Sequence, residues 1–196
     1  MQALVVIAHP CDDSFTHAAA GVAVAALERS GHDVDLIDLY ADGFRSAMSL
    51  EERLAYDTAE PVIDPQVADH VEQLRRAEIL VFVYPTWWSG LPAMLKGWLE
   101  RVMVPGVGFM FDARSGKVRP GLRHVRHLVG ISTYGSPRSY VRLVNDNGRR
   151  ILTRALRMSC GVGVRTRWIG IYAMDTATAD DRANFLQRIE RKMVTI

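Results

Sequence analysis

The sequence predicts an α/β protein, a three-layer α/β/α sandwich on a five-stranded parallel sheet of order 2-1-3-4-5. Three observations predict it. Short apolar runs alternate with longer amphipathic segments, the pattern of strands buried on both faces and joined by helical crossovers. Polar and aromatic loops follow the first, third and fourth of these runs, whose carboxyl ends lie side by side in that strand order. Finally, 196 residues with 48% hydrophobic content suffice for one core, so residues 1–196 are expected to form one domain.

The elements follow in order. Ala3 to Ala8 centres a first strand near 2–8, and Ser14 then stands as N-cap of a helix near 15–30 that Gly31 stops. A strand near 33–38 comes next. Asp64-Pro65 opens a helix near 65–77 with proline at its first position, and Ile79 to Tyr84 reads as a strand near 79–84. Leu91-Pro92 likewise starts a helix near 92–103. A strand near 125–132 leads to a helix near 141–159 that ends at Gly161. The last pair is a strand near 165–173 and a helix near 179–193, begun by a capping box from Thr178 to Asp181. Residues 40–62 and 104–122 read as long irregular stretches without the composition of a linker; ordered loops of that length usually line sites.

Composition excludes several classes. No apolar run approaches the ~20 residues of a membrane span and no leader of basic, apolar and small residues opens the chain, so a cytoplasmic protein without membrane insertion is expected. Cys11 and Cys160 are too few for a disulfide framework and lack zinc-site spacing. Net charge is +2, yet residues 1–100 hold 6 Lys and Arg against 16 Asp and Glu, while residues 101–196 hold 18 against 6. Side-by-side packing of the halves explains this without nucleic acid, for which no binding motif is present.

The chemistry concentrates in the three loops. After the first strand, His9, Ser14, Phe15 and Thr16 lie in a glycine-free polar loop entering a helix, whose first amides suit a phosphate; Ser14 is equally read as a simple cap. After the third strand, Pro85, Thr86, Trp87 and Trp88 set two large aromatics together, which cover either the core or a flat ligand such as a flavin ring. After the fourth, Ser132, Thr133, Tyr134 and Gly135 offer hydroxyls and amides to the polar edge of such a ring. Tyr140 is the candidate catalytic residue, its hydroxyl aimed where negative charge develops.

The run Pro85-x-Trp87-Trp88-x-Gly90-x-Pro92-Ala93-x-Leu95-Lys96-Gly97-Trp98-x-Glu100-Arg101-Val102 resembles the NAD(P)H:quinone oxidoreductase family of flavodoxin-like fold. Ala8-His9 with Ser14-Phe15, and Ser132-Thr133-x-Gly135 with a tyrosine five residues on, support the resemblance over nearly the whole chain. It implies a homodimer with flavin at the interface, FAD with FMN as the alternative, reduced by NADPH or NADH and reoxidised by a quinone-like acceptor. The flavin contacts it implies are His9, Ser14, Phe15, Thr16, Pro85, Thr86, Trp87, Trp88, Ser132, Thr133, Tyr134, Gly135 and Tyr140. Two positions depart from the family pattern: Asp146 replaces a histidine, and Tyr134 replaces a glycine and sets a bulky ring near the nicotinamide pocket. A preference for NADPH needs a cation for the extra phosphate, for which Arg114, Lys117 and Arg138 are candidates.

Two other classes share part of this pattern. Ala8-His9-Pro10-Cys11-Asp12-Asp13 with His124 and His127 resembles a zinc-dependent deacetylase, but Cys11 shifts both carboxylates and residues three apart on a strand face opposite ways. A phospho-receiver would use Asp12 and Asp13 with Thr133, but residues 164–178 lack its lysine. The alternative that stays open is a flavin-binding redox-sensing or regulatory subunit, for example of a potassium efflux system. Turnover of NADPH with a quinone separates it from an enzyme.

Overall fold

The computed structural model describes residues 1–112 and 114–196. In chain order the elements are β1 (Gln2–Ile7), α1 (Phe15–Arg29), β2 (Asp33–Asp38), α2 (Leu50–Ala55), α3 (Pro65–Arg76), β3 (Ile79–Pro85) and α4 (Ala93–Val102). A ribbon of β4 (Phe109–Phe111) and β5 (Val118–Pro120) precedes β6 (His127–Thr133), α5 (Arg138–Leu143) and α6 (Asn147–Arg150). A π-helical turn (Ile151–Leu156) then leads to α7 (Arg157–Cys160), β7 (Arg165–Ile171) and α8 (Ala179–Met193). The five-stranded sheet runs β2-β1-β3-β6-β7 with every pair parallel, which is the expected order.

Alternation along the strands divides the core between the two faces of the sheet. Leu4, Val6 and Phe82 pack with Trp98 of α4 on one side, and Val5, Ile7 and Val81 with Phe185 of α8 on the other. Register then aligns the functional edge: Ile7 lies opposite Val83, and Pro85 opposite Thr133, so the chain leaves β1, β3 and β6 at neighbouring points. Among the described residues no helix is long and apolar enough to cross a membrane.

Five expectations are corrected. The helix expected over 141–159 is broken into α5, α6, the π-helical turn and α7, because Asn145 and Asp146 take left-handed φ of 75° and 46°. Asn and Asp tolerate that region best among residues with a side chain, and the kink seats Gly148, where a Cβ would stand 3.2 Å from the Gly90 carbonyl carbon. Pro92 is the N-cap of α4 rather than its first residue. The stretch 40–62 contains α2, opened by a Ser49 to Glu52 capping box, and 104–122 contains the β4–β5 ribbon. Strand ends shift, with β1 and β7 stopping at Ile7 and Ile171, and β6 running His127–Thr133. His124 precedes β6 rather than lying on it, with Nε2 3.1 Å from the Leu74 carbonyl oxygen.

Candidate active site

Helix α1 begins beneath the first loop. Ser14 Oγ accepts the His17 backbone N–H at 3.2 Å, so this serine is the cap that the sequence indicated. The same oxygen lies 3.0 Å from His17 Nδ1, and His17 Nε2 lies 2.8 Å from Asp38 Oδ2 at the end of β2. Neither His17 nor Asp38 was singled out from the sequence, since a contact between residues 21 apart leaves no local pattern. His9 Nδ1 accepts the Cys11 N–H at 3.1 Å, and its ring centre stands 6.0 Å from that of Trp87. The Phe15 ring packs against Phe185 at 5.9 Å and Thr16 is buried, so their part in this loop falls to the backbone at the helix start.

The loop after β3 is a tight turn in which Gly90 N–H donates to the Trp87 carbonyl at 3.0 Å. Its central residues, Trp88 and Ser89, have φ of 49° and 58°, positions that glycine or asparagine usually fill. Two such residues cost on the order of 1–3 kcal/mol each, and strain of this kind clusters at ligand sites. The Trp88 side chain is fully exposed and Trp87 is 41% exposed, so neither indole fills the core.

Behind the turn, β6 supplies the back wall. Thr86 N–H donates to the Thr133 carbonyl at 2.7 Å, and Thr86 Oγ1 meets the buried Ser132 Oγ at 2.8 Å. Tyr134 is buried, stacked on Tyr172 at 4.6 Å, and donates its hydroxyl to Asp146 Oδ1 at 3.0 Å. Burial and the Asp146 carboxylate push the Tyr134 and Tyr84 phenols well above the ordinary tyrosine range, so both remain protonated donors. The Tyr84 hydroxyl, buried beside them, has no hydrogen-bond partner among the described residues.

A cavity of about 460 Å³ opens between these loops, and Thr86, Trp88, Tyr134, Gly135, Tyr140 and Asp175 are in its lining. Its size is that of a small-molecule site. The structure thus brings together five of the predicted residues here, while His9, Ser14, Phe15 and Thr16 lie around the start of α1, linked through the His9–Trp87 contact. Pro85 and Ser132 lie buried at the strand ends, and Thr133 is half-buried there. Asp175 escaped the sequence reading; its exposed carboxylate reaches back over Gly135, its Oδ2 standing 2.9 Å from where a Cβ at that position would lie.

A parallel sheet with helix-start, tryptophan-turn and hydroxyl loops at one edge defines the class, and the chain matches the flavodoxin-like fold family over residues 1–193 and belongs to it. Its relatives include the quinone-type NAD(P)H dehydrogenase 1 of Rattus norvegicus, 28% identical over 100% of this chain and 77% of that protein. The human quinone-type ribosyldihydronicotinamide dehydrogenase is 28% identical over 98% of this chain and 90% of its own. Among solved structures, the NAD(P)H:quinone oxidoreductase of Methanothermobacter marburgensis superposes with a TM-score of 0.78 at 26% identity, covering 100% of this chain and 95% of that one. An FMN complex of an azoreductase from Bacillus anthracis shares the fold, with a TM-score of 0.76 at 16% identity over 99% of this chain and 98% of that one. The resemblance carried by the run from Pro85 to Val102 is borne out.

Proposed function

We propose that residues 1–196 form one flavin-binding unit that catalyses NAD(P)H-dependent reduction of a quinone or a similar electrophile. The observation that carries this reading is Trp88, held bare over the cavity in a turn whose backbone is strained. A flat aromatic ring laid on that indole compensates the strain and hides its apolar face. The fit is supported further by the size of the cavity, about 460 Å³. The relatives, which are quinone-type dehydrogenases of NAD(P)H and ribosyldihydronicotinamide, support the same chemistry.

A bound flavin would supply two-electron redox chemistry between the nicotinamide and the acceptor. The residues of this chain do the rest. The unpaired amides of α1 and the hydroxyl of Ser14 hold the phosphate. Thr86, Trp87 and Trp88 hold the ring, with the Thr86–Ser132 contact fixing the loop to β6. Tyr140 and the amides of Gly135 and Ser136 stabilise negative charge at the ring's polar edge. Asp146 accepts the Tyr134 hydroxyl and cannot supply the positive charge of the family's histidine, so this donor work rests on Tyr140 and the loop amides. FAD is the form we assign, with FMN as the alternative, and the protein acts as a homodimer that covers the exposed Trp88 and Tyr140.

The deciding experiment is a visible spectrum of the purified protein, repeated after anaerobic addition of NADPH and then of a quinone. Flavin bands that bleach with NADPH and return with quinone are expected. A protein that stays colourless after reconstitution with both flavins would sink the proposal. Chromatography of the released cofactor separates FAD from FMN, and light scattering reads the dimer.

A further inference from the structure

A cationic groove lies directly beside the candidate active cavity. Arg138, Arg142, Arg149, Arg150 and Arg154 line a depression of about 500 Å³ along α5, α6 and the π-helical turn. This depression shares Val141 and Asp146 with the active cavity, so the two are contiguous. At its other end it shares Arg138, Arg149 and Tyr172 with a smaller hollow of about 230 Å³, which adds Arg188 and Lys192. Asp146 is the single acid in the lining of the groove, and Tyr134 already occupies one of its oxygens.

Among the described residues, none of the five guanidiniums forms an ion pair. Two of them have aromatic neighbours instead, Arg138 over Tyr172 at 5.9 Å and Arg149 over Trp168 at 5.8 Å. Arg138 and Arg142, and again Arg150 and Arg154, stand four residues apart, a spacing at which like charges on a helical surface repel. Against these five cations the lining sets one carboxylate, Asp146, so most of that repulsion is left uncompensated. A planar, forked donor of this kind matches phosphate oxygens two at a time, and five of them around one hollow call for several negative charges rather than one.

We infer that this groove binds the phosphate groups of the reducing dinucleotide and favours NADPH, which carries one phosphate more than NADH. The inference rests on the oxidoreductase reading of the adjoining cavity, where the nicotinamide ring must lie. Of the three cations that the sequence offered for the extra phosphate, only Arg138 lines the groove; Arg114 and Lys117 lie by the β4–β5 turn. The same phosphate chemistry is also met by free pyrophosphate, so the test separates the two sources.

The variant is Arg142→Gln/Arg150→Gln/Arg154→Gln, chosen because among the described residues these side chains make no hydrogen bond or ion pair, and they lie outside the active cavity. Calorimetric titration of the flavin-loaded protein with inorganic pyrophosphate is expected to show binding that NADPH displaces and that the variant loses. In steady state, KM for NADPH should rise about tenfold or more in the variant, as expected from losing charge-assisted contacts. By contrast, kcat, and KM for the phosphate-free donor reduced nicotinamide riboside, should hold. Failure of the wild-type protein to bind pyrophosphate, equal binding by the variant, or equal rises in KM for both donors would overturn the site. Pyrophosphate binding that NADPH does not displace would overturn the dinucleotide assignment in favour of a free-anion site. Pyrophosphate and NADPH binding lost together in the variant supports the groove even in a preparation that turns over neither donor. That last result would remove the oxidoreductase reading alone.

Discussion

Trp88 spends conformational energy to stand where it does. Its φ of 49° belongs to a region that asparagine enters easily and a bulky aromatic does not. Trp88→Asn is therefore expected to stabilise the flavin-free protein by about 0.5–1 kcal/mol while lowering flavin affinity, since one stacked aromatic contributes on the order of 1 kcal/mol. Thermal melts without flavin and titration of the apoprotein with flavin read the two halves. Unchanged affinity would take Trp88 out of the ring site. Tyr140 poses the complementary case: it is half exposed at the cavity and its side chain makes no hydrogen bond among the described residues, which leaves its hydroxyl to meet developing charge. Tyr140→Phe should slow anaerobic flavin reduction by NADPH about tenfold with little change in flavin affinity. If stopped-flow reduction proceeds at the wild-type rate, the charge is handled by the loop amides alone.

At the scale of elements, the seat of the 40–62 stretch is a buried cation. Arg101 of α4 is 2% exposed and lies 2.6 Å from Glu52 of α2 and 2.8 Å from Asp64, the N-cap of α3. Gly97, one turn earlier on α4, admits the same loop, because a Cβ there would stand 2.1 Å from the Ser46 carbonyl oxygen. Burial alone would raise the Asp64 pKa, but the Arg101 guanidinium and the Gln66 N–H outweigh it and hold the carboxyl below its ordinary value. A carboxylate depressed in the fold lends its full stability above the unfolded pKa of about 3.9, and this stability is lost as pH falls through the folded value. Arg101→Met should thus cost about 3 kcal/mol near neutral pH, the low end for a broken buried pair because the exposed Arg45 still faces Glu52 at 3.7 Å and Asp64 at 3.2 Å, and should flatten the loss of stability below about pH 4. Urea melts at several pH values test both parts; an acid limb as steep as that of the wild type would mean that Asp64 is held by Arg45 and its amide contacts without Arg101. None of this clamp was legible in the sequence. Arg101 and Gly97 were visible only as members of a family run, because their partners lie some 50 residues away in a stretch that looked irregular.

For the molecule as a whole, the sheet was legible because strands buried on both faces leave unmistakable apolar runs, and their order follows from right-handed crossovers. The site was legible as loops following three of those strands. The break after α5 was not, since the left-handed pair Asn145 and Asp146 is stabilised by where Gly148 packs, a tertiary fact. The charge asymmetry is more than side-by-side packing, because the strand order keeps β2, β1 and β3 of the acidic half to one side and β6 and β7 of the basic half to the other. Charge is therefore separated across the molecule, and the basic side holds the groove beside the cavity. A donor carrying several phosphates is drawn toward that side over distances set by the Debye length, which shrinks from about 30 Å at 0.01 M salt to about 10 Å at 0.1 M. Raising NaCl across that range should lower kcat/KM for NADPH by about tenfold while that for reduced nicotinamide riboside stays nearly level. Parallel declines for the two donors would assign the effect to flavin retention or to the chemical step, and would leave the separated charge without a part in capture.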